Sequence, residues 1–252
     1  MSETDSGQPP RQGFFRDLGS ALAVWARFPA LPLITMSLAV GTQLTGMTTV
    51  LFLPTVVLAT AGVTWMGVER SWYVAAWRGE RVAVRDVTEW MMLHFWPFVR
   101  LVMLMGIVMV PAIVLSVIAA NAGGQGRSTA RITLLISSLA LDVALTFGIP
   151  ALALRTSRVW SAMKIGMVMI AATWPGCLIY LLVPPLVVHL VIFASGPTVQ
   201  MPLLVGVGAV TTLVRLAFDG AVARFYARSE HLVIDLEEWD KAATEGQTPQ
   251  AR

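Results

Sequence analysis

Residues Leu101 to Ala120 read LVMLMGIVMVPAIVLSVIAA, twenty positions without a single charge. A helix rising 1.5 Å per residue needs about 20 apolar residues to cross a hydrocarbon core of about 30 Å, because its backbone polar groups must be satisfied internally there. This stretch meets that requirement. Working outward from it, five further runs do the same, approximately Phe28 to Thr45, Thr48 to Val68, Ile132 to Leu154, Ile165 to Ala194 and Val199 to Phe218. The fifth span, Ile165 to Ala194, is long and contains Pro175, Pro184 and Pro185, so a kink or an interfacial first turn is expected in it. The expected fold is all-α, an integral membrane domain of six transmembrane helices.

Composition agrees with that fold. Of 252 residues, 56% are hydrophobic and 13% charged, and the mean hydropathy is +0.70, well outside the range of an ordinary soluble domain. The polar stretches between runs are too short to build a separate core. The expected organisation is a polar cytoplasmic tail at 1–13, a membrane domain at 14–230, and an amphipathic segment with a second polar tail at 231–252. The opening MSETDSGQPPRQG has no apolar core or small-residue cleavage site and does not read as a signal peptide.

The basic residues set an orientation. With both termini in the cytoplasm, the inner side receives Arg16, Arg27, Arg70, Arg78, Arg81, Arg85, Arg100, Arg155, Arg158, Lys164, Arg224 and Arg228 among others, whereas the opposite loops hold only Arg127 and Arg131. Short cytoplasmic loops carry such an excess, so both ends are expected inside, and a bacterial cytoplasmic membrane is the expected location. The arginines are dispersed, not clustered with aromatics, so a nucleic-acid partner is not expected.

An internal repeat is visible at three aromatic-proline pairs, Phe28-Pro29, Trp96-Pro97 and Trp174-Pro175, each at the head of an odd-numbered span. Before each lies a stripe at helical spacing: Phe15, Leu18, Leu22 and Trp25; Val84, Val87, Met91 and His94; Trp160, Met163 and Met167. Charged residues occupy the other faces, as suits a helix lying among lipid headgroups. A fourth such stretch, Leu232, Leu236 and Trp239, follows the last span. The unit is read as an interfacial amphipathic helix followed by a hairpin of two spans, repeated three times. Trp25, Trp96, Trp174 and Trp239 are its candidate interfacial anchors.

Leading into the fifth span, Ala162, Met163, Lys164 and Trp174 follow Pro150 and the apolar ALAL, in an amphipathic segment. In this pattern the chain resembles six-helix membrane-domain families of bacteria and archaea, including the membrane domain attached to some glycerophosphodiester phosphodiesterases. Gly166 stands where those families usually have Ser, and Val168 and Ala171 where they have basic residues. The resemblance implies a six-helix membrane domain. The phosphodiesterase's catalytic domain has no counterpart here, so the resemblance implies no such activity.

Asp142 lies near the middle of the fourth span, where an ionised carboxylate costs several kcal/mol unless paired. Arg215 is its expected partner, with Asp219 one turn further along competing for the same cation. Such an acid serves as a proton or ion relay, as half of a structural pair, or as a carboxyl kept protonated by desolvation and bonded to a neighbouring hydroxyl or backbone carbonyl. Ala140, Ala144 and Gly148 form a small-residue ridge on a different face of the same helix.

Asp219, Gly220, Ala223 and Arg224 spell D-G-x-x-A-R, part of the signature of CDP-alcohol phosphotransferases, but Leu216 and Val233 stand where that family needs Asp and Gly. A paired-metal cage is not expected. His94, His189 and His231 are too scattered for a ligand set and read as polar interfacial aromatics; the single Cys177 excludes an intramolecular disulfide. No nucleophile-elbow, zinc-protease or phosphate-loop motif occurs. The sequence therefore gives no sign of an enzyme, a cofactor or a bound metal. Two classes of function stay open: a non-catalytic scaffold or accessory subunit that contacts membrane lipids, anionic ones among them, and a membrane-protein partner or a second copy of itself; and a small transporter or exporter of small molecules or lipids, with Asp142 in its pathway.

Overall fold

A computed structural model describes residues 13–46, 51–121, 125–194 and 201–244. These form helices α1 (Phe14–Arg27), α2 (Ala30–Gly46), α3 (Phe52–Trp77), α4 (Val84–Asn121), α5 (Gln125–Leu145), α6 (Gly148–Leu154), α7 (Val159–Thr173), α8 (Leu178–Ala194) and α9 (Met201–Thr244). No strand occurs among the described residues. Four helical stretches are long and apolar enough to cross a membrane: Phe52–Trp77, Val84–Ala119, Ser128–Leu145 and Val205–Ser229. Helices α1 and α2, bent by 92° across Phe28-Pro29, supply a fifth if taken as one span. The chain is thus an all-helical protein of membrane type. α7 and α8 are apolar but shorter.

The three aromatic-proline pairs behave differently. At Phe28-Pro29 the backbone turns sharply, and at Trp174-Pro175 a short turn, through a cis peptide bond, separates α7 from α8. At Trp96-Pro97 the helix does not break: α4 runs on through both Pro97 and Pro111, so the expected interfacial helix and third span are one continuous element. The reason lies in packing. His94 and Phe98, on either side of Pro97 and one turn apart, are both fully buried, so one buried stripe continues across the proline and outweighs the single hydrogen bond it removes. The expected fourth span is divided at Thr146-Phe147 into α5 and α6.

α6 and α7 meet through glycine. A Cβ on Gly166 would lie 2.8 Å from the backbone nitrogen of Gly148, so only the bare backbones allow this approach. On α7 the buried face is Ala162, Ile165, Gly166 and Met169, while Trp160 is 69% exposed and Met167 also faces outward. α1 repeats the arrangement: Phe14, Asp17, Ala21 and Val24 face the bundle, and Phe15 and Leu22 face away. The buried faces mix large side chains, Phe14 and Met169, with small or polar ones, Asp17, Ala21, Ala162 and Gly166.

Between α3 and α4 the chain reverses in six residues. Gly79 adopts φ +81°, and the amides of Gly79 and Glu80 donate to the carbonyls of Ala76 and Ala75, the paired bonds of a glycine helix stop. The next helix is opened by the Asp86 carboxylate, which accepts from the Ala83 amide at 2.7 Å.

Two apolar cores result. One gathers Phe98, Phe147, Met169, Tyr180, Phe225 and Tyr226, and the other Ala21, Leu31, Trp65, Trp72, Tyr73 and Leu216. α9 contributes to both and packs on α1, α2, α3, α7 and α8, which makes it the central helix. Buried positions concentrate in the C-terminal part of α3, the first half of α4, α6, α7 and 216–229 of α9, all at the end of the bundle that carries the arginines. Away from that end the described residues of the helices are mostly exposed or half-buried.

Candidate functional site

Three charged clusters lie within this bundle. In the first, Asp17 points inward from α1 with 2% of its surface exposed, and Arg228 of α9 reaches both its oxygens at 3.0 Å. The Tyr180 hydroxyl of α8 donates to the same carboxylate at 2.5 Å. A bidentate guanidinium and a phenol thereby satisfy a carboxylate that would otherwise be costly to bury. Three elements far apart in sequence are joined at one point.

The second cluster begins at Glu69 and Arg70, consecutive residues near the basic end of α3. Arg70 is fully buried; it donates to the Met66 carbonyl at 2.6 Å and pairs with Asp219 of α9 at 3.0 Å. Glu69 lies 3.9 Å from the Arg70 guanidinium and accepts from the Thr35 hydroxyl of α2 at 2.8 Å, and Thr35 in turn accepts from the Trp65 indole at 2.8 Å. Arg215, one turn before Asp219, comes no nearer to it than 3.8 Å, beyond hydrogen-bond range, and its side chain is 50% exposed.

In the third, His189 of α8 donates from Nε2 to Asp142 of α5 at 2.8 Å. The partner of Asp142 is therefore His189 and not Arg215, because α5 packs on α8 and presents the acid to it directly. His189 is buried in a helix contact and not placed as an interfacial aromatic. Asp142 and Arg215 do border one small cavity of about 60 Å³, together with Arg70, Thr146 and Asp219, large enough for a few water molecules.

A larger cavity of about 1070 Å³ opens between α2, α3 and α9. Its charged end holds Glu69, Arg215 and Asp219. Thr42, Thr55, Thr211 and Thr212 line its walls, but each hydroxyl already donates to a carbonyl four residues earlier in its own helix at 2.7 to 2.8 Å. They therefore offer methyl groups to the cavity beside Leu38, Val63 and Met66. Gln43 crosses the far end, its amide pressed against Gly208, where any Cβ would collide with it. From Thr55 to Glu69 the wall is about 21 Å long at 1.5 Å per residue. Charge is thus confined to one end, and the Gln43 amide is the polar group at the other.

The D-G-x-x-A-R segment is accounted for by packing. Asp219 holds Arg70; at Gly220 a Cβ would lie 2.6 Å from the Ala21 methyl; Ala223 is fully buried; and the Arg224 guanidinium lies over the Trp77 ring at 4.9 Å. Among the described residues no group of three or more His, Cys, Asp or Glu side chains could hold a metal ion. His94 is hydrogen-bonded to Ser71 at 2.9 Å between α3 and α4.

Of the candidate anchors, Trp96 and Trp174 stand exposed, while Trp25 turns its indole toward the bundle and donates to the Tyr73 hydroxyl at 2.6 Å. The side chains of Trp239 and His231 and the two tails lie outside the described residues. The Asp17–Arg228–Tyr180 cluster and the Glu69–Arg70 pair were not singled out from sequence. A signal existed for the second, since adjacent opposite charges directly after an apolar run need partners at that depth.

No family model, no curated protein and no solved structure matches this chain.

Proposed function

We propose that the chain is a polytopic protein of the bacterial cytoplasmic membrane, with both termini inside, that acts without catalysis as a lipid-binding scaffold or accessory subunit. In this arrangement α2 with α3, α4 with α5 and α6, and α8 with α9 form three hairpins of a six-span domain, and α1, the start of α4, and α7 are their interfacial helices. The observation that carries the functional proposal is the cavity between α2, α3 and α9, charged at one end and apolar along its walls. That polarity suits an amphiphile. The polar pairs support a scaffold, since Asp17 with Arg228, Arg70 with Asp219 and Asp142 with His189 each tie two helices together.

A transporter is the second proposal. It is favoured by the Asp142–His189 pair bordering a cavity that shares Arg215 and Asp219 with the larger one.

Purification from native membranes in mild detergent, followed by native mass spectrometry, tests the first proposal. Retained lipid is expected, and it should be lost on Gly62→Phe, which fills the cavity at a position where a Cβ meets nothing within 4 Å. Lipid retention unchanged by that substitution in a folded protein refutes it. Solute flux in vesicles that disappears in Asp142→Asn while the assembly stays intact would establish the transporter instead.

A further inference from the structure

We infer that the α2–α3–α9 cavity receives a zwitterionic phospholipid, its phosphate paired with Arg215 and its primary ammonium with Asp219 and Glu69. This rests on the proposed lipid-binding role of the cavity and adds the chemistry of the headgroup.

The inference follows from how the four charges are used. Arg70 is committed: buried, it spans the Met66 carbonyl and one oxygen of Asp219. Arg215 is not committed. It makes no hydrogen bond among the described residues, its nearest carboxylate oxygen is 3.8 Å away, and half of its side chain surface is open. A guanidinium at that depth needs charge-assisted acceptors, and a phosphate supplies a matching pair.

The carboxylates select the other half of the headgroup. Beside Arg215 the cluster presents two carboxyl groups, Glu69 and Asp219, so it offers acceptors as well as a cation. A purely anionic headgroup would leave the open carboxyl oxygens without a donor, and a purely cationic one would leave Arg215 without an anion. A zwitterion meets both. Of the Asp219 oxygens, Oδ1 serves Arg70 whereas Oδ2 faces Arg215 at 3.8 Å, and the nearest guanidinium nitrogen to Oε2 of Glu69 is at 3.9 Å. These oxygens can accept from an ammonium. A primary ammonium has three N–H donors to offer them and a quaternary ammonium has none.

Spacing and direction agree. Arg215 and Asp219 are four residues apart on one helix face, which sets their Cβ atoms about 5–6 Å apart, the scale of a phosphate joined to an ammonium by two carbons. The acyl chains then lie along about 21 Å of wall whose threonine hydroxyls are already bonded within their helices.

The test uses the full chain in nanodiscs, with phospholipids of identical acyl chains bearing phosphoethanolamine, phosphocholine or phosphoglycerol headgroups, and native mass spectrometry of the retained lipid. Soluble glycerophosphoethanolamine forms a headgroup-only arm. Retention of the phosphoethanolamine lipid at roughly tenfold over either other lipid is expected. Arg215→Gln should lower its retention about tenfold, and Glu69→Gln should narrow its advantage over phosphocholine. Asp219→Asn also disturbs Arg70, so the Glu69 variant carries the ammonium test, with size-exclusion profile as the check on folding. Equal retention of the three headgroups, or preference for phosphoglycerol, overturns the inference while cavity binding itself stands if Gly62→Phe still abolishes retention. Saturation by the soluble headgroup at the same concentration as the lipid overturns the assignment to a lipid.

Discussion

Asp17→Ala isolates the contribution of the point where α1, α8 and α9 meet. The substitution removes two charge-assisted bonds from Arg228 at 3.0 Å and the acceptor of the Tyr180 hydroxyl at 2.5 Å. Breaking a buried pair from one side costs about 3–5 kcal/mol, because the remaining charge stays in place after losing its counter-ion. Arg228 retains 25% of its side-chain exposure, so partial hydration puts this loss near the lower bound, about 3 kcal/mol. For a domain of this size each kcal/mol shifts Tm by about 2–4 °C, giving a fall of roughly 6–12 °C. Arg228→Ala should cost more, since Asp17 is the deeper member. Asp17→Leu with Arg228→Met replaces both charges by apolar groups and is expected to return to within about 2 kcal/mol of the native protein. Thermal unfolding in detergent, followed by the nine tryptophans, reads the native protein and each variant. If the two single losses simply add in the Asp17→Ala/Arg228→Ala double variant, the pair is uncoupled and the reasoning fails.

Glycine positions provide an internal contrast. Gly67→Ala sets a Cβ 2.5 Å from the His94 ring and should destabilise by about 1–3 kcal/mol, whereas Gly62→Ala meets nothing within 4 Å and should be neutral or stabilising by up to about 1 kcal/mol in the same thermal assay. Asp142→Ala leaves the His189 N–H without an acceptor and should cost about 1–3 kcal/mol, while Asp142→Asn keeps a carbonyl in place and should cost less; a reversed order by thermal unfolding would remove the structural role assigned to the pair. Glu89→Ala breaks an exposed pair with Arg85 at 2.8 Å and is expected to change stability by no more than about 0.5 kcal/mol at moderate salt, measured in parallel.

The membrane class was legible in sequence because the hydrocarbon thickness imposes a length that runs such as 101–120 satisfy without reference to any other residue. The breaks at Phe28-Pro29 and Trp174-Pro175 were legible for a similar reason, since proline acts on its own turn. At Pro97 the local signal lost to packing: His94 and Phe98 bury one stripe against their neighbours, and the helix continues. The inward faces of α1 and α7 were hidden for a different reason. Apolar spacing favoured Phe15, Leu22, Trp160 and Met167, yet Asp17 must meet Arg228 and Gly166 must meet Gly148, so the faces that carry Asp17 and Gly166 turned inward and those four side chains outward. Pairings such as Asp142 with His189, 47 residues apart, depend on which helices become neighbours, and spacing along one chain does not contain that.

The cavity itself follows from how side-chain volume is distributed along three helices. At the basic end, Trp65, Trp72, Tyr73 and Leu216 fill the space between α2, α3 and α9, and glycine there admits close contact: a Cβ at Gly67 or Gly220 would strike His94 or Tyr73. Toward the tips the same helices carry Ala39, Ala59, Gly62 and Gly208 along the cavity wall. Small residues in a membrane helix usually bring two backbones together. Gly62 does not, since nothing lies within 4 Å of where its Cβ would be. Its smallness maintains volume instead of contact, whereas at Gly208 the absence of a Cβ makes room for Gln43. One helix set thus combines a tightly packed, ion-paired floor with a wall kept apart from its neighbours, and Arg215 stands at the boundary between them. That is why its guanidinium has no close partner: Asp219 is fixed by Arg70 on the packed side, and Arg215 is left facing the open one.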